Sequence, residues 1–259
     1  MKKIKKGIPM NKKENTYSYL KESLSSIKII IVIFVISILF GFINASNMPQ
    51  VKDLLREIID QTSTLSGLDL IIFIFINNTV SSFLSLILGI FLGIFPLITT
   101  TFNGIILGYV MNKTVVAVGF LELWRLFPHG IFELPAVFIS LGLGLNLGLG
   151  SIKNYLKENK KNLTLKILGI LSLFLALFGI MLLRLSLNII KTNASIALPG
   201  LLFSIVLLTP FISLFFVVNK KVRDFNIKKI MKSLKIFFTL VIPLLIIGAV
   251  IEGLLITIL

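Results

Sequence analysis

Three glutamates sit inside strongly apolar sequence, Glu122, Glu133 and Glu252, and the only histidine, His129, lies four residues before one of them. Residues four apart share a helical face one turn apart, so His129 and Glu133 form a pair within Pro128–Pro135. Polar and ionisable groups are costly in hydrocarbon and persist there when they face a bundle interior and find partners. The span topology set out below puts His129, Glu133 and Glu252 in the outer third of the membrane, with Arg125 and Arg184 near the same level, and so predicts that the five meet in one polar cluster, with Asn77 and Asn78 facing it. Three roles fit such a cluster: structural glue by buried hydrogen bonds, a proton or ion relay, or binding of a partner or lipid.

Other chemistry lacks its residues. His-x-x-x-Glu has no second histidine to complete a zinc protease motif, and with no cysteine in the chain there are no thiolate ligands or nucleophiles. No Asp pair lies in the spans, Asp69 being the only Asp at a span end, and no Gly-x-Ser-x-Gly elbow or Walker motif occurs. Gly142–Gly150, GLGLNLGLG, has the wrong spacing for a nucleotide loop and lies in a span, where it serves helix packing. No catalytic residue, metal or cofactor is expected.

The elements that hold these groups follow from composition. Of 259 residues, 56% are hydrophobic and 14% charged, and mean hydropathy is +1.01. Leu70–Asn112 carries no Asp, Glu, Lys or Arg. As one helix it would run about 64 Å, twice a hydrocarbon core of roughly 30 Å, so it must turn back once. An all-α, polytopic membrane bundle of about seven transmembrane helices is expected, with spans near 27–43, 68–94, 101–111, 128–149, 165–183, 196–218 and 237–259. The turn inside the long uncharged run is placed at Phe95–Thr100.

Residues 1–26 form a basic segment, and 27–259 a single transmembrane domain. A basic leader before an apolar run resembles a signal peptide, but its length and the spans that follow favour an uncleaved first helix. Pro49–Ser66 sets Val51, Leu54, Leu55, Ile58 and Ile59 against Lys52, Asp53, Arg56, Glu57 and Asp60, an amphipathic helix either lying on the outer surface or packed on the spans. Val115–Phe127 reads as a second interfacial segment, with Trp124 as a belt anchor, Arg125 snorkelling and Glu122 pairing with Arg125.

The net charge of +15 might suggest nucleic acid, but Lys and Arg cluster in three blocks, Lys2–Lys28, Lys153–Lys166 and Lys220–Lys235. Strict alternation puts every block on one side, with 20 of the 26 basic residues. The positive-inside bias makes that side cytoplasmic, with the N-terminus inside and the blocks against anionic headgroups. The expected partners are therefore lipid and other membrane or envelope proteins, or a second copy of the chain, and no nucleic acid.

Small residues every fourth position mark helix interfaces. Ser37, Gly41 and Ala45 line the first span, and Asn77, Ser81, Ser85, Gly89 and Gly93 the second. Thr100, Gly104, Gly108 and Asn112 line the third, and Ala136, Ser140, Gly144 and Gly148 the fourth. The stripes predict that these helices pack with backbones close.

Three features resemble the stage II sporulation protein M family: PHGIFELPA at Pro128–Ala136 with its glycine-rich continuation, the pattern Asn77-Asn78, Gly89, Gly93, Pro96, Asn103-Gly104 and Gly108, and the closing AVIEG at Ala249–Gly253. Asn162–Lys235 is longer than the family pattern. In sporulating bacteria the family's namesake is a membrane partner and localiser of cell-wall hydrolases. The resemblance implies a non-enzymatic scaffold or partner-recruiting subunit in the cell membrane. The alternative is a transport or channel component that uses the outer carboxylates.

Overall fold

The computed structural model describes residues 12–65, 67–90, 93–158 and 220–258, together with scattered helical residues between 164 and 212. The elements are α1 (Lys12–Ile43), α2 (Pro49–Thr62), α3 (Gly67–Leu88), α4 (Ile94–Val118), α5 (Phe127–Glu158), α6 (Lys220–Ile236) and α7 (Ile242–Ile258). Short 3-10 turns at Ala45–Asn47 and Phe120–Leu126 flank α2 and α5, and a π turn at Phe237–Val241 joins α6 to α7 without a break. Among the described residues, five stretches are long and apolar enough to cross a membrane: Ser18–Ile43, Gly67–Leu88, Ile94–Val118, Gly130–Glu158 and Arg223–Leu254. The spans expected at 165–183 and 196–218 fall largely outside the described residues.

Several boundaries differ from the sequence expectation, each for a physical reason. The third span is not the short Thr101–Met111 but the whole of α4, because the reversal falls at Gly89–Gly93. Pro96 sits in the first turn of α4, where its missing N–H breaks no helical bond. Gly93 holds a φ of 72° at the head of α4 and lies against the backbone and side chain of Leu145, a left-handed conformation that suits glycine alone. The third basic block is the helix α6, which runs on into the last span instead of forming a loop. α1 likewise begins at Lys12, inside the basic leader.

Residue contacts set the direction of each helix. Phe34 and Ser37 of α1 meet Gly104, and Ile38 and Phe42 meet Gly108, so α1 and α4 run parallel. Ser140 Oγ donates to the Ser82 carbonyl at 2.8 Å, and Gly89 rests on Gly144, so α3 and α5 run parallel to each other. Ile27 meets Gly142 and Phe34 meets Phe138, so α1 and α5 are antiparallel. Lys229 meets Gly150 and Gly248 meets Glu133, so α6–α7 also opposes α5. The bundle therefore has a basic end, where α5 ends and α6 begins, and a far end carrying α2 and Phe120–Leu126.

The small-residue stripes are the contacts themselves. A Cβ on Gly41 would strike the Ile105 carbonyl, one on Gly89 the Gly144 backbone, and one on Gly108 the Ile38 carbonyl. Ser85 Oγ lies 2.9 Å from Thr99 Oγ1 across the α3–α4 turn. Around this frame Leu86, Ala136, Leu143, Phe237, Val241 and Leu245 form the buried core. The opposite face of α3 carries Leu68, Ile72, Ile76, Val80 and Leu84, all exposed and four apart, a stripe suited to hydrocarbon.

Candidate functional site

Midway toward the far end, the bundle opens into a cavity of about 420 Å³ between α1, α3, α4, α5 and α7. Its polar lining is Asn78, Ser81, Ser82, Thr99, Asn103, Glu133 and Glu252, and its apolar wall includes Phe34, Leu107 and Val137. The volume falls within the roughly 300–1,000 Å³ of small-molecule sites.

Glycines on α7 place the two carboxyls together. Gly248 lies one turn before Glu252, and a Cβ there would stand 3.3 Å from the Glu133 Cβ, so α5 and α7 approach closely at this level. Gly253 packs on Ile71 of α3, which seats the preceding residue, Glu252, between α3 and α5. The Glu133 and Glu252 carboxyls are within hydrogen-bonding reach of each other. A hydrogen bond between two carboxyls needs a proton on one of them, since an ionised carboxylate only accepts. Asn78 and Asn103 add amide donors and acceptors, and Thr99, Ser81 and Ser82 add hydroxyls. Such a lining can hold a proton, a small cation or a hydrogen-bonding solute. Among the described residues, no group of three or more His, Cys, Asp or Glu is arranged to hold a metal ion.

The expected cluster residues fall into three groups. Glu133, Glu252 and Asn78 line the cavity. Asn77 does not: it is exposed beside Phe73, Ile76 and Val80 on the opposite side of α3. Neighbours on a helix point about 100° apart, and here that rotation carries Asn77 out of the cavity while Asn78 lines it. The side chains of Arg125 and His129, all of Arg184, and with them the Glu122–Arg125 pairing, lie outside the described residues. Of the packing residues, Ser85, Gly89, Gly93, Gly104, Gly108, Ala136, Ser140, Gly144 and Gly148 are buried, whereas Ser81 is half-buried and lines the cavity wall. Asn103 was not expected in the cluster. The signal was its place beside Gly104, whose contact with α1 fixes that turn of α4.

A second polar group, at the basic end, was also missed. Lys229 Nζ of α6 donates to Glu22 Oε1 of α1 at 2.8 Å and lies 5.6 Å from the Tyr19 ring centroid and 5.2 Å from that of Phe225. Ser233 Oγ is 3.2 Å from Tyr19 Oη, and Asn146 Nδ2 donates to Ser23 Oγ at 2.9 Å. Lys229 looked like one more loop cation because its burial depends on α6 docking against α1 and α5.

Fold and cavity together define a multi-pass α-helical membrane protein with a polar chamber among its spans. A family model described as stage II sporulation protein M matches residues 30–184, well over half of the chain, and the protein belongs to that family. The match includes Glu133 and the glycine stripes, while Glu252 and Ala249–Gly253 lie beyond it. Membership makes this a non-enzymatic membrane protein. No curated protein and no solved structure matches the chain.

Proposed function

We propose that the protein is a membrane scaffold, the partner-recruiting subunit of a cell-envelope complex, with its basic end in the cytoplasm. The glycine interlock carries this reading. Helices that meet backbone to backbone at Gly41, Gly89, Gly104, Gly108 and Gly144 resist sliding, so the bundle presents fixed surfaces at both ends. At the far end Phe120, Leu121 and Trp124 are all exposed on one 3-10 segment, the large apolar side chains that anchor interfaces. At the basic end, the lysines of the N-terminal segment and α6 suit anionic headgroups. A photo-crosslinker at Leu121, followed by pull-down from detergent-solubilised membranes, tests the scaffold. It expects one dominant adduct, with another envelope protein or a second copy, that Trp124→Ala weakens. Absence of any adduct would end it.

The cavity favours a second reading, a transport or channel component in which Glu133 and Glu252 carry a proton or small cation. In proteoliposomes this reading expects Glu133→Gln or Glu252→Gln to abolish flux while the fold persists. The scaffold reading expects no flux to lose.

A further inference from the structure

A second recess lies at the far end, between α2 and the last turns of α4. It is a groove of about 440 Å³ whose charged lining is Lys52, Arg56 and Lys113. Its apolar floor includes Leu55, Ile59 and Val118. Lys113 Nζ stands 5.3 Å from the centroid of the Tyr109 ring, which also lines the groove. None of the three cations forms an ion pair among the described residues.

Charges on α2 are segregated. Lys52, Leu55, Arg56 and Ile59 follow helical spacing along the groove, whereas Asp53, Glu57 and Asp60 occupy the adjoining flank and line none of it. Acidic residues that would neutralise the cations are thus turned aside. Of the six Lys and Arg that the sequence assigns to this end, half converge here, on the side of a membrane protein where such residues are normally scarce.

The level of the groove decides what fills it. α2 connects the end of α1 to the start of α3, and Ile58 and Ile59 are 40% and 59% exposed. An apolar stripe left uncovered at the ends of the spans belongs where hydrocarbon meets headgroups. Cations above an apolar floor at that depth match an amphiphilic anion, with its phosphate on the rim and its chain along α4. A soluble anion would leave the floor uncovered.

We propose that this groove binds the phosphate headgroup of an anionic membrane lipid through Lys52, Arg56 and Lys113. The site is separate from the carboxylate cavity and independent of either reading of it.

The test uses the full chain in nanodiscs of mixed phosphatidylglycerol and phosphatidylcholine, with retained lipid counted by native mass spectrometry after partial delipidation. Wild-type protein is expected to retain phosphatidylglycerol selectively. The Arg56→Ala/Lys113→Ala double variant should lose about 25-fold in retention, at roughly fivefold per charge near a membrane surface. Asp53→Asn/Glu57→Gln, on the other flank, should keep it. If the double variant folds poorly, Arg56→Glu alone carries the same comparison. Equal retention by wild type and the cation variants would overturn the proposal. Displacement of the lipid by millimolar glycerol phosphate would overturn the lipid assignment in favour of a soluble anion.

Discussion

The two polar groups of this bundle share α1 and α5 and are resolved in opposite ways. At the basic end, α1, α5 and α6 close around Tyr19, Ser23, Asn146, Lys229 and Ser233, and donor meets acceptor or ring at each step. In the cavity, α5 and α7 bring two groups of the same kind, Glu133 and Glu252, against each other at the edge of an open space. The first arrangement is what a fold needs to fix helix register. The second supplies no complementary charge among its described lining residues and leaves room for something else. The basic end thus contributes to fixing the fold together with the glycine contacts, whereas the cavity lining contributes polar groups that face one another rather than a closed network.

The comparison can be broken most forcefully at the glycine frame that both regions share. Gly144→Leu forces a branched side chain onto the Ser85 carbonyl and the backbone of Leu86, and should cost about 3 kcal/mol through overpacking. Thermal unfolding in detergent and loss of the monodisperse peak in size exclusion would report it.

Next comes Lys229→Met, which removes the Glu22 bond and the contacts with two aromatic rings while keeping most of the apolar stem. Glu22 is more than half exposed, which limits the loss to about 1–2 kcal/mol, mostly the cation–ring contacts. Glu133→Gln should move the melting temperature less than Lys229→Met does, because an amide can still hydrogen-bond Glu252 and two facing acids become one. A larger loss than Lys229→Met would show that the cavity, too, is structural glue.

The smallest effect is expected from Asn77→Leu, within about 0.5 kcal/mol, since that side chain lies on the exposed side of α3 away from the cavity. Asn78→Leu, one residue on, should instead fill part of the cavity. Ligand or ion binding measured by calorimetry would separate the pair.

Legibility in the sequence followed how locally each feature is encoded. The spans and glycine stripes could be read because hydrophobic runs and four-residue spacing are properties of single helices. Glu133 and Glu252 were grouped in the sequence because the expected topology sets both in the outer third, whereas the contacts of Gly248 with Glu133 and of Gly253 with Ile71 depend on tertiary packing that no single helix encodes. The reversal at Gly89–Gly93 was misplaced because an uncharged turn has no polar marker, and Pro96 looks like a breaker although it begins a helix. The Lys229 network stayed hidden for a different reason: a lysine in a basic run is read as solvated until a neighbouring helix covers it.

The π turn at Phe237–Val241 has a consequence for the far side of the membrane. A widened turn of this kind accommodates one residue more than the regular spiral would, so everything beyond it is rotated by about 100°. Removing that one residue would leave α6 docked as before but swing position 252 round from the chamber. Whether α7 presents a carboxyl to the chamber thus depends on a single surplus residue about three turns away.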